Sequence, residues 1–270
     1  MSELSVMQRA TVSSVLARTI SQRLLLALLV AAGLFAMGVW LGPLYNSMSQ
    51  TLTELVASLP GGTIAIFGDI AAPAGWFNAE IFAFSAPALI IYVALASASR
   101  SLAEELEDRS VALLAANPVD RIRVYWEKLL GMAVLVTLVA AGTALGIMAG
   151  VALAGLDLAT ANILAMSLQV LLLGLLAGTL TALTSVLFGR RILAMVSAAV
   201  ILLVCYAWGT FLELSDSLAG LAKVSPWYWY YGEEPLTEGL PWFYSLLLLA
   251  LSVLVAIGGA AAFRRRELPA

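Results

Sequence analysis

Charged residues along this chain fall in clusters, and the intervals between the clusters are almost wholly apolar. Six uncharged intervals run for at least 19 residues: Leu24 to Tyr45, Ile81 to Ser99, Leu129 to Leu156, Leu158 to Gly189, Ile192 to Leu212 and Gly239 to Phe263. About 20 helical residues cross the roughly 30 Å hydrocarbon layer of a bilayer. The pattern therefore predicts an all-α integral membrane protein with six transmembrane helices in one domain, residues 1–270. Residues 1–23 carry Leu4, Val12, Val15, Leu16 and Ile20 at roughly helical spacing among polar and basic neighbours. They read either as an amphipathic helix on the membrane surface or as a frayed basic anchor. Met48, Leu52, Leu55, Val56 and Leu59 share one helical face before Pro60-Gly61-Gly62, which predicts a short separate surface helix there.

Composition agrees with this class. Of 270 residues, 62% are hydrophobic and 11% charged, with a mean hydropathy of +0.98, which excludes a soluble enzyme, a nucleic-acid binder and a disordered tail. There is no His and a single Cys, Cys205, so no disulfide, no His-bearing metal site and no His base for a nucleophile is available. Placing the termini and even-numbered loops in the cytoplasm puts 13 of the 14 Lys and Arg there, all but Lys223, and nine acids opposite. By the positive-inside rule both termini are cytoplasmic. The first apolar run is too long for a signal-peptide core and reads as a retained helix.

Small and polar residues within the spans invite two readings each. Gly142, Gly146 and Gly150 form a doubled GxxxG in the third span, and Gly174 and Gly178 share that interval in the fourth. Such spacing lets helix backbones approach, within one subunit as the favoured reading or across a dimer seam as the other. Ser85, Ser97, Thr137, Ser167, Gln169, Thr179, Thr181, Thr184, Ser185 and Ser197 bond to helix backbones or across helices without having to line a path. No Asp, Glu, Lys, Arg or His lies inside the six apolar intervals, which disfavours ion coupling through side-chain titration. No GxxxxGK[ST] phosphate loop exists, so any ATP is hydrolysed by another chain. Trp227, Tyr228, Trp229, Tyr230 and Tyr231 form an aromatic run between the fifth and sixth spans, read as an interfacial belt or as part of an outer gate.

The segment Arg100 to Lys128 interrupts the apolar pattern with many charges. Glu105 and Arg109 are an i,i+4 pair, and Leu102, Leu106, Leu113 and Leu114 make an apolar stripe. Asn117-Pro118 ends one short helix and starts another, because the residue before Pro avoids helical geometry while Pro suits a first turn. The second helix is expected to turn Ile122, Tyr125, Trp126 and Leu129 toward the membrane and Arg121, Arg123 and Lys128 toward water. Apolar leucines between charges suit a docking surface; a solvated connector is the alternative.

This segment resembles the cytoplasmic loop of the type-2 ABC exporter permeases. Ala103, Glu105, Glu107, Leu113, Leu114, Pro118, Val119, Arg121 and Lys128 match the family pattern. Arg109-Ser110 departs from the usual Gly-Thr, Leu106 from an acid and Asp120 from Ser. Ser225-Pro226-Trp227-Tyr228, Glu234-Pro235-Leu236 with Gly239, and Phe263-Arg264-Arg265-Arg266-Glu267-Leu268 resemble the family's later motifs in the same order.

The resemblance implies a non-catalytic permease subunit that forms half of a translocation pathway in the cytoplasmic (plasma) membrane of a prokaryote. Two such permeases, as a homodimer or as a heterodimer with a paralogue, would pair with two copies of an ABC-type ATPase, which binds the ATP and Mg; this chain would bind no cofactor of its own. The loop would couple through Glu104, Glu105, Glu107, Arg109, Leu113, Leu114, Pro118, Arg121 and Lys128. The second and fifth spans would line the path, with Ser85, Tyr92, Ser197 and Tyr206 as candidates for a hydrophobic or amphiphilic cargo such as a drug or antibiotic. A short re-entrant or surface helix is implied at the aromatic run. An ATP-independent carrier or channel is the alternative function. An intramembrane enzyme using Ser85, Ser197 or Cys205 lacks any activating base.

Overall fold

The computed structural model describes residues 3–58, 70–100, 121–213 and 217–265. All regular structure among them is helical: α1 (Glu3–Ser58), α2 (Pro73–Phe77), a π-helical turn (Asn78–Phe82), α3 (Ser85–Ser99), α4 (Arg121–Ala154), α5 (Thr160–Phe188), α6 (Arg191–Glu213), α7 (Ala219–Ala222), α8 (Pro226–Tyr231), α9 (Pro235–Glu238) and α10 (Trp242–Arg265). Six stretches are long and apolar enough to span a membrane: Val15–Glu54 of α1, Pro73–Ser99 across α2 and α3, and the greater part of α4, α5, α6 and α10. This is the six-helix, all-α architecture that the apolar pattern predicts.

Two elements differ from expectation. The basic lead, the first span and the segment after it form one helix, α1, rather than three pieces. The segment from Asn46 onward is polar but contains no helix breaker until Pro60, and its hydroxyls fold back on the helix: Ser47 donates to the Leu44 carbonyl at 2.7 Å and Thr53 to Ser49 at 2.9 Å. Pro43 lies inside α1, where it removes one backbone donor, a loss transmembrane helices tolerate. The second span, by contrast, is broken. Its chain winds one residue too wide at Asn78–Phe82, with the Ala83 amide donating to the Asn78 carbonyl at 2.7 Å, and restarts at Ser85.

The fourth span, α5, sits at the centre and is the most buried of the six. It packs against α3, α4, α6 and α10. Its glycines receive neighbours directly: a Cβ at Gly174 would lie 2.6 Å from Val136 Cγ1, and Gly178 lies against Met132. The order of these pairs makes α4 and α5 antiparallel, and a left-handed Gly189 (φ 64°), which only a residue without Cβ adopts cheaply, turns the chain from α5 into α6. Gln169 beside Ser245 and Leu183 beside Gly259 show α5 and α10 running parallel.

The first span is held chiefly by the third, α4. Gly142 meets Ala31, Gly146 meets Phe35, and Gly150 meets Gly38, so the two helices run parallel with backbones in contact. A Cβ at Gly38 would lie 2.6 Å from the Gly146 carbonyl carbon. The doubled GxxxG of α4 thus serves packing within the subunit, as the favoured reading has it. Its counterpart, Gly38 and Gly42 on α1, carries the same interval. Asn46 Nδ2 closes the contact on the Ala154 carbonyl at 2.7 Å.

Candidate functional site

One end of the bundle carries Arg100, Arg123, Lys128, Arg190, Arg191, Arg264 and Arg265, and the other Glu54, Glu80, Asp157, Glu233, Glu234 and Glu238. The coupling candidates Glu104, Glu105, Glu107, Arg109, Leu113, Leu114 and Pro118 lie outside the described residues. What is described are the two flanks of that segment. Arg100 follows α3, and Arg121 begins α4.

The first turns of α4 do not divide between lipid and water as expected. Lys128 is only 5% exposed, not turned to water, and Tyr125 is fully buried against protein rather than facing the membrane. The cause is α10. The Tyr125 phenol donates to the Ala256 carbonyl at 3.1 Å, packs on Gly259, where a larger residue would block it, and stacks on Phe263 at 5.9 Å between ring centroids. Arg123 stays half exposed and reaches Glu127 one turn on, at 3.2 Å. Trp126 keeps an exposed face. The start of α4 is therefore clamped in the bundle. At the end of α3, the Ser97 and Ser99 hydroxyls are buried and have no hydrogen-bond partner.

Among the path candidates, Ser85 and Tyr92 lie seven residues apart, two helical turns, on one face of α3 that includes exposed Leu89. Ser85 begins that helix and donates its hydroxyl to the Glu80 carbonyl at 3.0 Å. Ser197 and Tyr206 are nine residues apart, a rotation of about half a turn, so they sit on opposite sides of α6. Ser197 donates to the Leu193 carbonyl in its own helix at 2.7 Å, while Tyr206 packs edge-on against Trp227 at 4.8 Å. Three inward hydroxyls of α5 are likewise occupied: Thr181 bonds back to Ala177 and Ser185 to Thr181, and Thr184 reaches across to Ala194 of α6 at 3.0 Å, whereas the buried Ser167 hydroxyl has no partner.

The aromatic run folds as α8. Ser225 caps it, accepting from the Trp227 amide at 3.2 Å while donating to the Cys205 carbonyl of α6 at 2.6 Å, and Pro226 supplies the first turn. Its residues then engage three further spans. The Tyr230 phenol, fully buried, donates to the Phe82 carbonyl at 2.8 Å. Tyr231 accepts from Asn78 Nδ2 at 2.9 Å. The Trp229 carbonyl accepts from Gln169 Nε2 of α5 at 2.9 Å, and Gln169 Oε1 in turn accepts from Ser245 of α10 at 3.3 Å. The Trp229 indole donates to the Lys223 carbonyl at 2.7 Å, and Trp227 and Tyr230 meet edge to face at 5.4 Å.

Burial pushes the Tyr230 phenol well above the ordinary tyrosine range. Burial, then the nearby Glu234 and Glu213 carboxylates, push Tyr231 up to about 12, so both rings stay neutral at physiological pH. Tyr228 is nearly buried, with Lys223 Nζ 6.0 Å over its ring and Tyr244 edge-on at 5.5 Å. Large aromatics that do present exposed faces at this end include Phe84, Trp208, Phe211, Trp242 and Phe243.

Sequence pattern does not mark Asn78 or Ser245, and Gln169 stands in it only as one of the polar residues of the spans. An amide or hydroxyl in an apolar run was the available signal, but its partner is a backbone carbonyl or a side chain far along the chain. A family model described as ABC-2 family transporter protein matches residues 16–268. No curated protein matches the chain.

Proposed function

This chain belongs to the ABC-2 family of transporter proteins, and from that membership we propose that it is the permease subunit of an ATP-driven exporter. As a member it is a multi-pass membrane permease of an ABC transporter, a class that works with an ABC ATPase. The single observation that carries the proposal is the match over nearly the whole length, residues 16–268, which includes the charged segment between the second and third spans.

On this reading both termini and the basic end lie in the cytoplasm, in keeping with the bias of Lys and Arg. The loop from Arg100 to Lys128 docks on the ATPase, with Leu113 and Leu114 as the apolar centre and Glu104, Glu105, Glu107, Arg109 and Arg121 around it. Closure of two ATPases pushes this loop, and the clamped start of α4 passes the push to the spans. Two copies of the permease pair across a pathway to which α3 contributes Ser85 and Tyr92. Tyr206 lies beside the aromatic helix α8, which closes the outer end, while Ser197 belongs to the other side of α6. A wall of hydroxyls, aromatics and aliphatics without fixed charge suits a hydrophobic or amphiphilic cargo.

The test is purification of the complex from membranes followed by transport into inverted vesicles with a panel of amphiphilic antibiotics. ATP-dependent uptake and a co-purifying ATPase are expected. A permease that moves its cargo with no ATPase bound is instead an ATP-independent carrier.

A further inference from the structure

The break in the second span is held open by another element. A π turn is rare and leaves backbone groups out of the regular ladder; here the Phe82 carbonyl is taken by Tyr230 and the Glu80 carbonyl by Ser85. Phe84, at the end of the break, has φ −143° and ψ −51°, outside helical geometry. Two features leave this arrangement unrelaxed. Asn78 Oδ1 is buried with no partner while its Nδ2 is spent on Tyr231. Just past α8, Glu234 is the only non-glycine among the described residues with positive φ, at 45°, a conformation that disfavours a side chain.

Resting on the exporter reading, we propose that the turn Asn78–Phe82 is a hinge in the second span and that Tyr230 and Tyr231 of α8 are its latch. With both tyrosine bonds made, α2 and α3 are fixed on α8 and the outer end is shut. When α8 withdraws, the Phe82 carbonyl and Asn78 are released together and the turn rewinds toward α geometry. A π turn holds one residue more than an α turn, so this rewinding rotates one side of the hinge against the other by roughly 100°. The face bearing Ser85 and Tyr92 lies immediately beyond the hinge, so its orientation changes with the latch.

Amide exchange read by mass spectrometry on the purified permease–ATPase complex in nanodiscs tests this without knowledge of the cargo. In the wild type, amides 83–88 are expected to exchange slowly without nucleotide and about tenfold faster when trapped with ATP and vanadate, the size of one buried hydrogen bond lost. Tyr230→Phe, which keeps the ring, is expected to exchange fast in both states, with the α1–α4 contact around Gly146 as protected as before. Should Tyr230→Phe fold poorly, Tyr231→Phe removes only the Asn78 contact and is expected to shift exchange the same way. Equal protection of amides 83–88 in both nucleotide states of the wild type, or in wild type and both variants, overturns the hinge. Absence of any ATPase from the preparation overturns the exporter reading instead, and the nucleotide-free comparison of variants still decides the latch.

Discussion

At Gln169 one side chain joins three elements, since its amide donates to Trp229 of α8 while its oxygen accepts from Ser245 of α10. Gln169→Leu keeps the volume but orphans the Trp229 carbonyl and the Ser245 hydroxyl retains only its own-helix bond to Pro241 at 2.9 Å. Leaving such a group unpaired in a water-free interior costs about 1–3 kcal/mol. The variant should therefore insert normally but lose several degrees of thermal stability in detergent, read by a melting curve. Ser197→Ala, whose hydroxyl bonds only within its own helix, should leave that curve within error. The glycines are single-residue determinants too. Gly150→Leu places a side chain where the Gly38 backbone passes, and because backbone cannot rotate away, the cost should exceed the usual 1–3 kcal/mol of overpacking. Cross-linking between cysteines placed in α1 and α4 should fall in that variant, and undiminished cross-linking would show that α1 is held elsewhere.

Among elements, the charged segment before α4 carries the sharpest expectation. Replacing Leu113 and Leu114 together with Ser removes up to about 1.5–3 kcal/mol of apolar burial per side chain if the ATPase covers them. ATPase binding should weaken by about one or more orders of magnitude, measured by pull-down from membranes. Glu105→Ala should lower affinity less, a charge at the rim being partly screened, yet separate ATP turnover from transport. If the double Ser variant inserts, binds the ATPase and transports as wild type does, the segment is a solvated connector. Helix α8 gives the contrasting case: an element of six residues that, with its cap Ser225, is hydrogen-bonded to the second, fourth and fifth spans, although it spans nothing itself. Its aromatics were legible as an interfacial feature because amphipathic rings favour that depth. That Tyr230 is instead fully enclosed depends on the Phe82 carbonyl, which the break in the second span exposes to it.

For the whole molecule, the expected assembly is two permeases with two ATPases, and mass measurement of the solubilised complex separates a homodimer from a pair of paralogues. Exposed faces of α1, α6 and α10 carry Leu25, Trp40, Ile192, Leu203, Leu246 and Leu254, which is suitable for lipid or for a second permease since both are apolar. The sequence by itself determined the membrane class, the number of spans and their order, because hydrocarbon admits only long uncharged helices and each interval of that kind is local in the chain. It also determined which end is basic, and it carried the family through ordered motifs. Tertiary structure alone decided that α1 leans on α4, that α5 is central, that Lys128 and Tyr125 are enclosed and that the second span is broken at Asn78–Phe82. In lipid every face of a span is apolar, so hydrophobic periodicity no longer says which side meets protein. That choice falls to glycine gaps and to hydrogen bonds such as Asn78 to Tyr231, whose partners lie 153 residues apart and share no pattern in the sequence.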